Sequence, residues 1–149
     1  MDDKGLEIII NSRQLIEKYE CELPHGVIVV HDPGSIKPNL PNNSNRLAEI
    51  YFEFNDIDKE ILDLKIFTKD DAKAILSFVK LINPYIKSLY ISCEAGISRS
   101  AAIGAALSIL LKLPEKDSKF FTSKGRFYPN RFIYRTILET ANEENFYAQ

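Results

Sequence analysis

Five residues separate Cys93 from Arg99 in the segment Cys93-Glu94-Ala95-Gly96-Ile97-Ser98-Arg99-Ser100, and these residue types at this spacing suit attack of sulfur on phosphorus. A free thiol is only about 3% thiolate at neutral pH, and the positive end of a helix with a nearby guanidinium favours the ionised form. That gain is at most roughly 30-fold, about 2 kcal/mol, far less than hydrolysis of a phosphate monoester demands. The remainder must come from a cradle for the phosphoryl oxygens. Arg99 offers two parallel donors that a lysine lacks, and Gly96 lets backbone amides approach an anion. Glu94, Ala95, Gly96, Ile97 and Ser98 would contribute backbone N–H groups, with Arg99 as the clamp. Ser100 places a hydroxyl where it can donate to the Cys93 sulfur.

Such a cradle needs a strand to deliver the thiol and a helix to aim the amides. The run Ile86 to Ser92 reads as that strand, and Ser98 to Leu113 as that helix. Further strands are expected at Leu6 to Ile10, Gly26 to His31 and Arg46 to Phe54. Ser12 caps a short helix through Glu20. Thr68 opens another with Asp70 and Asp71 in its first turn, an apolar face from Ala74, Ile75, Phe78, Val79 and Ile82, and a stop at Pro84. Asn130 caps a last helix through about Ala141, ahead of a polar tail. His31 to Asn45 holds three prolines and four asparagines without apolar periodicity, a long loop for a small domain and therefore one with a function. Strands alternating with helices predict an α/β domain: a parallel-rich sheet with helices on both faces and the ligand at the carboxyl ends of the strands.

Cys93 to Ser100 resembles the Cys-x5-Arg-Ser/Thr signature of the cysteine-dependent protein tyrosine phosphatases. The short chain is more similar to their compact dual-specificity branch, in particular to small microbial members with a Cys-Glu-Ala-Gly-Ile-Ser-Arg-Ser loop. Segments resembling Phe54-Asn55-Asp56-Ile57-Asp58 and Asp32-Pro33-Gly34 occur in the same members. The signature is specific: a chance Cys-x2-Gly-x2-Arg-Ser/Thr in such a chain is on the order of one in a thousand. The resemblance implies hydrolysis of phosphate monoesters through a cysteinyl-phosphate intermediate, without cofactor or metal. Its expected substrates are phosphotyrosine in proteins, phosphoserine and phosphothreonine where the pocket is shallow, or a small phosphate ester. It also implies a general acid on the loop after the preceding strand. Asp56 fits best because Phe54-Asn55-Asp56 most resembles the family's strand-terminal acid, while spacing alone does not separate it from Asp58. The family usually has histidine just before the nucleophile, where this chain has Ser92.

Other residues have plainer readings. Cys21 reads as a packed thiol, His25 and His31 as structural groups, and Arg126, Arg131 and Arg135 as a solvated helix face rather than the rim of the pocket. Asp56, Asp58 and Glu60 lack the glycine and further ligands of a calcium loop. A rhodanese-like sulfur transferase typically has one residue fewer between cysteine and the basic position. The rival reading from another class is a phosphate-binding interaction module with weak or no catalysis.

With 149 residues, 45% hydrophobic and 27% charged, the chain is expected to form one domain spanning 1–149. A formal net charge of −2 gives no broad basic surface for nucleic acid or anionic membrane. The longest apolar run, Ala101 to Leu111, is too short to span a bilayer, and Met1-Asp2-Asp3-Lys4 is no signal peptide. Two cysteines without metal-ligand spacing do not make a disulfide framework. A cytoplasmic monomer is the expectation.

Overall fold

The computed structural model describes residues 5–122 and 124–146, so the Met1–Lys4 segment lies outside the described residues. Four parallel strands form the sheet: β1 (Glu7–Ser12), β2 (His25–His31), β3 (Arg46–Glu53) and β4 (Ser88–Cys93), in the order β1-β4-β2-β3. Every residue of β2 and β4 is buried, as expected for central strands covered on both faces. The register places Ser12 opposite Cys93, Val29 opposite Ser92, and His31 opposite Glu53. All four carboxyl ends therefore open on one edge of the sheet, which is where an α/β fold places its ligand.

Cover on the two faces is unequal. On one face pack α2 (Lys69–Ile82), α3 (Arg99–Leu110), the single turn α4 (Ser118–Phe121) and α5 (Arg131–Glu143), burying a core that includes Ile28, Phe54, Phe67, Ile75, Leu89, Ile91, Ile103, Leu107, Ile133 and Ile137. Thr68 starts α2 through a capping box with Asp71, a feature that typically stabilises a helix by about 1 kcal/mol. Its buried face, Ile75, Leu76, Val79 and Ile82, contributes roughly 1.5–3 kcal/mol per side chain. The Ala-rich α3 is buried on all sides, so it lies inside the molecule beneath the cradle it leaves.

Among the described residues the other face carries only α1 (Arg13–Ile16) and the connection between β2 and β3, which enclose Ile16, Tyr19, Val27, Val29 and Tyr90. Ser12 caps α1 by accepting from Leu15 N, as its position implies, but the helix ends after Ile16 rather than Glu20. Tyr19 is diverted from helical continuation into the core, where its ring meets His25 and Tyr90. Its hydroxyl donates to His25 Nε2 at 2.7 Å and accepts from Arg46 Nη1 at 2.9 Å, while His25 Nδ1 donates to the Leu23 carbonyl at 2.8 Å. The chain uses these tertiary bonds in place of another helical turn. The 32–45 segment makes a parallel crossover without a helix. It is pinned by Arg13 Nη2 on the Ile36 carbonyl at 2.5 Å and by Arg46 Nη1 on the Pro41 carbonyl at 2.9 Å, with Leu40 packed beneath. Among the described residues no helix is long and apolar enough to cross a membrane.

Candidate active site

β4 delivers Cys93 to the carboxyl edge of the sheet, 2% exposed, and residues 94–98 arch over it before α3 begins at Arg99. Gly96 sits at the crest with φ +70°. A Cβ there would lie 2.7 Å from Ser12 N and 2.8 Å from the Asn11 carbonyl carbon, so the arch rests directly on the β1–α1 turn. Arg13 fastens the same turn from the other side: its N–H donates to the Glu94 carbonyl at 3.1 Å, and Nη1 meets Glu94 Oε2 at 3.2 Å. Within the described residues the backbone N–H groups of Ala95, Gly96, Ile97 and Ser98 have no hydrogen-bond acceptor. Four successive unpartnered donors at the start of a helix are an arrangement that can receive an anion.

Among the described residues the sulfur has two partner atoms, both from Ser100 in the first turn of α3. Ser100 Oγ lies 3.1 Å from Cys93 Sγ, and Ser100 N donates to the sulfur at 3.4 Å. Arg99 is 6% exposed, and its Nη1 donates both to Asp32 Oδ1 and to the Phe54 carbonyl, each at 2.8 Å. Fixing Nη1 in this way leaves the Nε–Nη2 edge, with its two parallel N–H vectors, as the fork that can grip an oxyanion. Asp32, at the end of β2, thus joins the site. The sequence marked it only as part of Asp32-Pro33-Gly34, because a contact across 67 residues leaves no local pattern.

The two aspartates after β3 separate clearly. Asp56 Oδ1 accepts from Ser98 Oγ at 2.9 Å and from Asn130 Nδ2 at 2.9 Å, which holds it beside the cradle. Both are exposed, but Asp58 has no side-chain bond to the cradle among the described residues. Ser98, the residue before α3, makes no side-chain cap; its hydroxyl donates to Asp56 instead. Asn130, read in the sequence only as a helix cap, does cap α5 by accepting from Ile133 N at 3.0 Å, and its Nδ2 also donates to the Ile57 carbonyl at 3.0 Å.

Ser92 is 1% exposed, and its Oγ has no hydrogen-bond partner among the described residues. It does not reproduce the loop-ordering bonds that a longer imidazole can make. His31 is not free for chemistry: Nδ1 is shared by Ser35 Oγ at 3.0 Å and the Asp32 carbonyl at 3.2 Å, and Nε2 lies 3.7 Å from Glu53. Both cysteines are free thiols, and Cys21 Sγ is 3.5 Å from the Leu23 carbonyl. Arg131 and Arg135 line a hollow of about 570 Å³ together with Asp56 and Asp58, whereas Arg126 stacks on Phe127.

No family model and no curated protein sequence matches this chain. Solved structures do. The fold is similar to that of human DUSP28, with a TM-score of 0.64 and 14% identity over 95% of each chain. It is also similar to PTPMT1, solved in complex with PI(5)P, with a TM-score of 0.54 and 17% identity over 84% of this chain and 81% of that one. A human tyrosine phosphatase-like serine/threonine/tyrosine-interacting protein gives a TM-score of 0.53 and 18% identity over 83% and 78%. The chain has the fold of the cysteine-dependent tyrosine and dual-specificity phosphatases.

Proposed function

We propose that this protein hydrolyses phosphate monoesters, phosphotyrosine in proteins foremost, through a cysteinyl-phosphate intermediate. The observation that carries the reading is the buried Cys93 thiol beneath four unpartnered amides and the free edge of Arg99. In the first step the Cys93 thiolate attacks phosphorus, the S–P bond forms and the bond to the ester oxygen breaks. The amides of 95–98 and the Arg99 Nε–Nη2 edge hold the three equatorial oxygens, whose charge grows in the transition state. Asp56 gives its proton to the departing oxygen. In the second step Asp56 takes a proton from water, which attacks phosphorus and releases inorganic phosphate. Sulfur leaves as the thiolate, and the Ser100 hydroxyl, 3.1 Å away, donates to it.

Residues 94–98 carry no lysine or arginine, which favours a substrate with a single phosphate over a polyphosphorylated one. The rival reading, a phosphate-binding module, has a structural neighbour in the tyrosine phosphatase-like interacting protein. Binding needs only the cradle, whereas this chain also has the thiol, its hydroxyl partner and a tethered carboxylate. Turnover of para-nitrophenyl phosphate, blocked by vanadate, tests the proposal. Cys93→Ser should keep phosphate-ester binding and lose more than about a thousandfold in kcat, because serine is a poor nucleophile at its ordinary pKa. Wild-type protein that binds vanadate without turnover is the signature of the rival; hydrolysis by Cys93→Ser removes Cys93 from the nucleophile role.

A further inference from the structure

We propose that Asn130 is a positioning residue that clamps the Asp56 loop to the phosphate cradle, an inference that rests on the hydrolytic reading above. All of its polar atoms are engaged. Its backbone N–H donates to the Ser98 carbonyl at 3.2 Å, its carbonyl accepts from Tyr134 N at 3.1 Å, and Oδ1 accepts from Ile133 N at 3.0 Å. Nδ2 donates to Asp56 Oδ1 at 2.9 Å and to the Ile57 carbonyl at 3.0 Å. One residue therefore ties together the cradle, the loop that carries the acid, and the first turn of α5.

The acid loop needs this tether. Its base is closed by Asn55 N on the Lys65 carbonyl and Lys65 N on Asn55 Oδ1, both at 2.7 Å, while residues 58–65 between are exposed. Without the Asn130 and Ser98 bonds, little beyond that base would hold Asp56 beside the cradle. The tether also selects an oxygen. Both donors converge on Oδ1, so the proton to be transferred resides on Oδ2, and the carboxyl group is presented in one orientation rather than two.

Capping and clamping by Asn130 can be separated. Aspartate and serine cap a helix about as well as asparagine, but neither supplies the two N–H donors of Nδ2. Asn130→Ser removes the clamp without adding charge, and Asn130→Asp also sets a carboxylate against Asp56. Amide hydrogen exchange and turnover of phenyl phosphate against para-nitrophenyl phosphate give two independent readouts. In both variants the hydrogen-bonded amides of the 55–65 loop, those of Asn55, Leu64 and Lys65, should exchange at least tenfold faster while α5 stays protected. The kcat ratio of para-nitrophenyl to phenyl phosphate should rise at least tenfold, as in Asp56→Asn. Unchanged exchange in 55–65, or an equal loss on both esters, overturns the clamp. If Asp56→Asn itself shows no dependence on the leaving group, the acid reading fails, and the exchange data still decide whether Asn130 holds the loop.

Discussion

Gly96→Ala and Gly34→Ala form a pair that isolates how much the cradle depends on its seat against the β1–α1 turn. Both glycines have positive φ, +70° and +83°, so alanine at either meets the same left-handed penalty of about 1 kcal/mol. At Gly34 nothing lies within 4 Å of the new methyl group. At Gly96 the methyl would fall 2.7 Å from Ser12 N, 2.8 Å from the Asn11 carbonyl carbon and 3.0 Å from its oxygen, all backbone atoms that cannot rotate away. Overpacking of this kind costs about 1–3 kcal/mol, which makes about 2–4 kcal/mol in total for Gly96→Ala against about 1 for Gly34→Ala. For a chain of this length each kcal/mol moves the melting temperature by about 2–4 °C, so the expected drops are about 4–16 °C and 2–4 °C. Thermal unfolding followed by circular dichroism measures both. The strain at Gly96 can also be relieved by lifting the arch, in which case the amides lose their aim and para-nitrophenyl phosphate turnover falls instead. A Gly96→Ala protein that melts like Gly34→Ala and turns over at the wild-type rate refutes the reasoning.

Three further outcomes follow from the geometry. Asp56→Asn should slow phosphotyrosine hydrolysis by about 10²–10⁴-fold but para-nitrophenyl phosphate far less, since that leaving group departs nearly unaided, and Asp58→Asn should do neither; steady-state kinetics on both esters would transfer the role if the pattern reversed. Ser92→Ala removes a buried hydroxyl without a partner and should leave the protein as stable or stabilise it by about 1 kcal/mol, read from denaturant midpoints; a clear loss would mean that the hydroxyl is satisfied, for example by a buried water. Burial holds the His25 imidazole below its ordinary pKa, with the Arg46 charge adding to the effect and the Leu23 carbonyl opposing it. Below about pH 6.5 the unfolded chain gains a proton that the folded chain resists, so stability is intact above that pH and declines as the pH falls toward the folded value. His25→Gln should flatten that decline between pH 7.5 and 5.5, and an unchanged slope would assign the pH dependence to other groups.

Much of the architecture was legible because it is written in local patterns. The apolar runs of β2 and β4 mark buried strands, Thr68 and Asn130 mark helix starts, and Cys93 to Ser100 marks a cradle between strand and helix. Ends of elements were less legible. β1 continues through Asn11 and Ser12 because those polar residues pair with Ser92 and Cys93, and α3 stops at Leu110 rather than Leu113. The turn α4 lacks the length for a periodic signal, and α1 is cut short by the contacts of Tyr19. The support of the site was the least legible part. Asp32 on Arg99, Ser98 on Asp56 and Asn130 on Asp56 join positions 42 to 74 residues apart, and only the completed fold brings them together. The same contacts set Asp56 apart from Asp58 in position, which spacing along the chain could not.

The sheet order also bears on when the cradle is assembled. β1 is an edge strand whose only partner is β4, and β2 meets β4 on its other side, so the strand that ends in the thiol is inserted between elements made long before it. Pairings this distant in sequence form late and slowly, after the chain has closed large loops. Until β4 docks, Cys93 is an ordinary cysteine on an unpaired apolar segment, exposed to oxidation and to association with other chains. The step that completes the sheet buries the sulfur, seats Gly96 on the β1–α1 turn and brings Ser100 to within 3.1 Å. Burial of the sulfur and assembly of the cradle are one event in this fold, so a partly assembled molecule carries a vulnerable thiol while it waits.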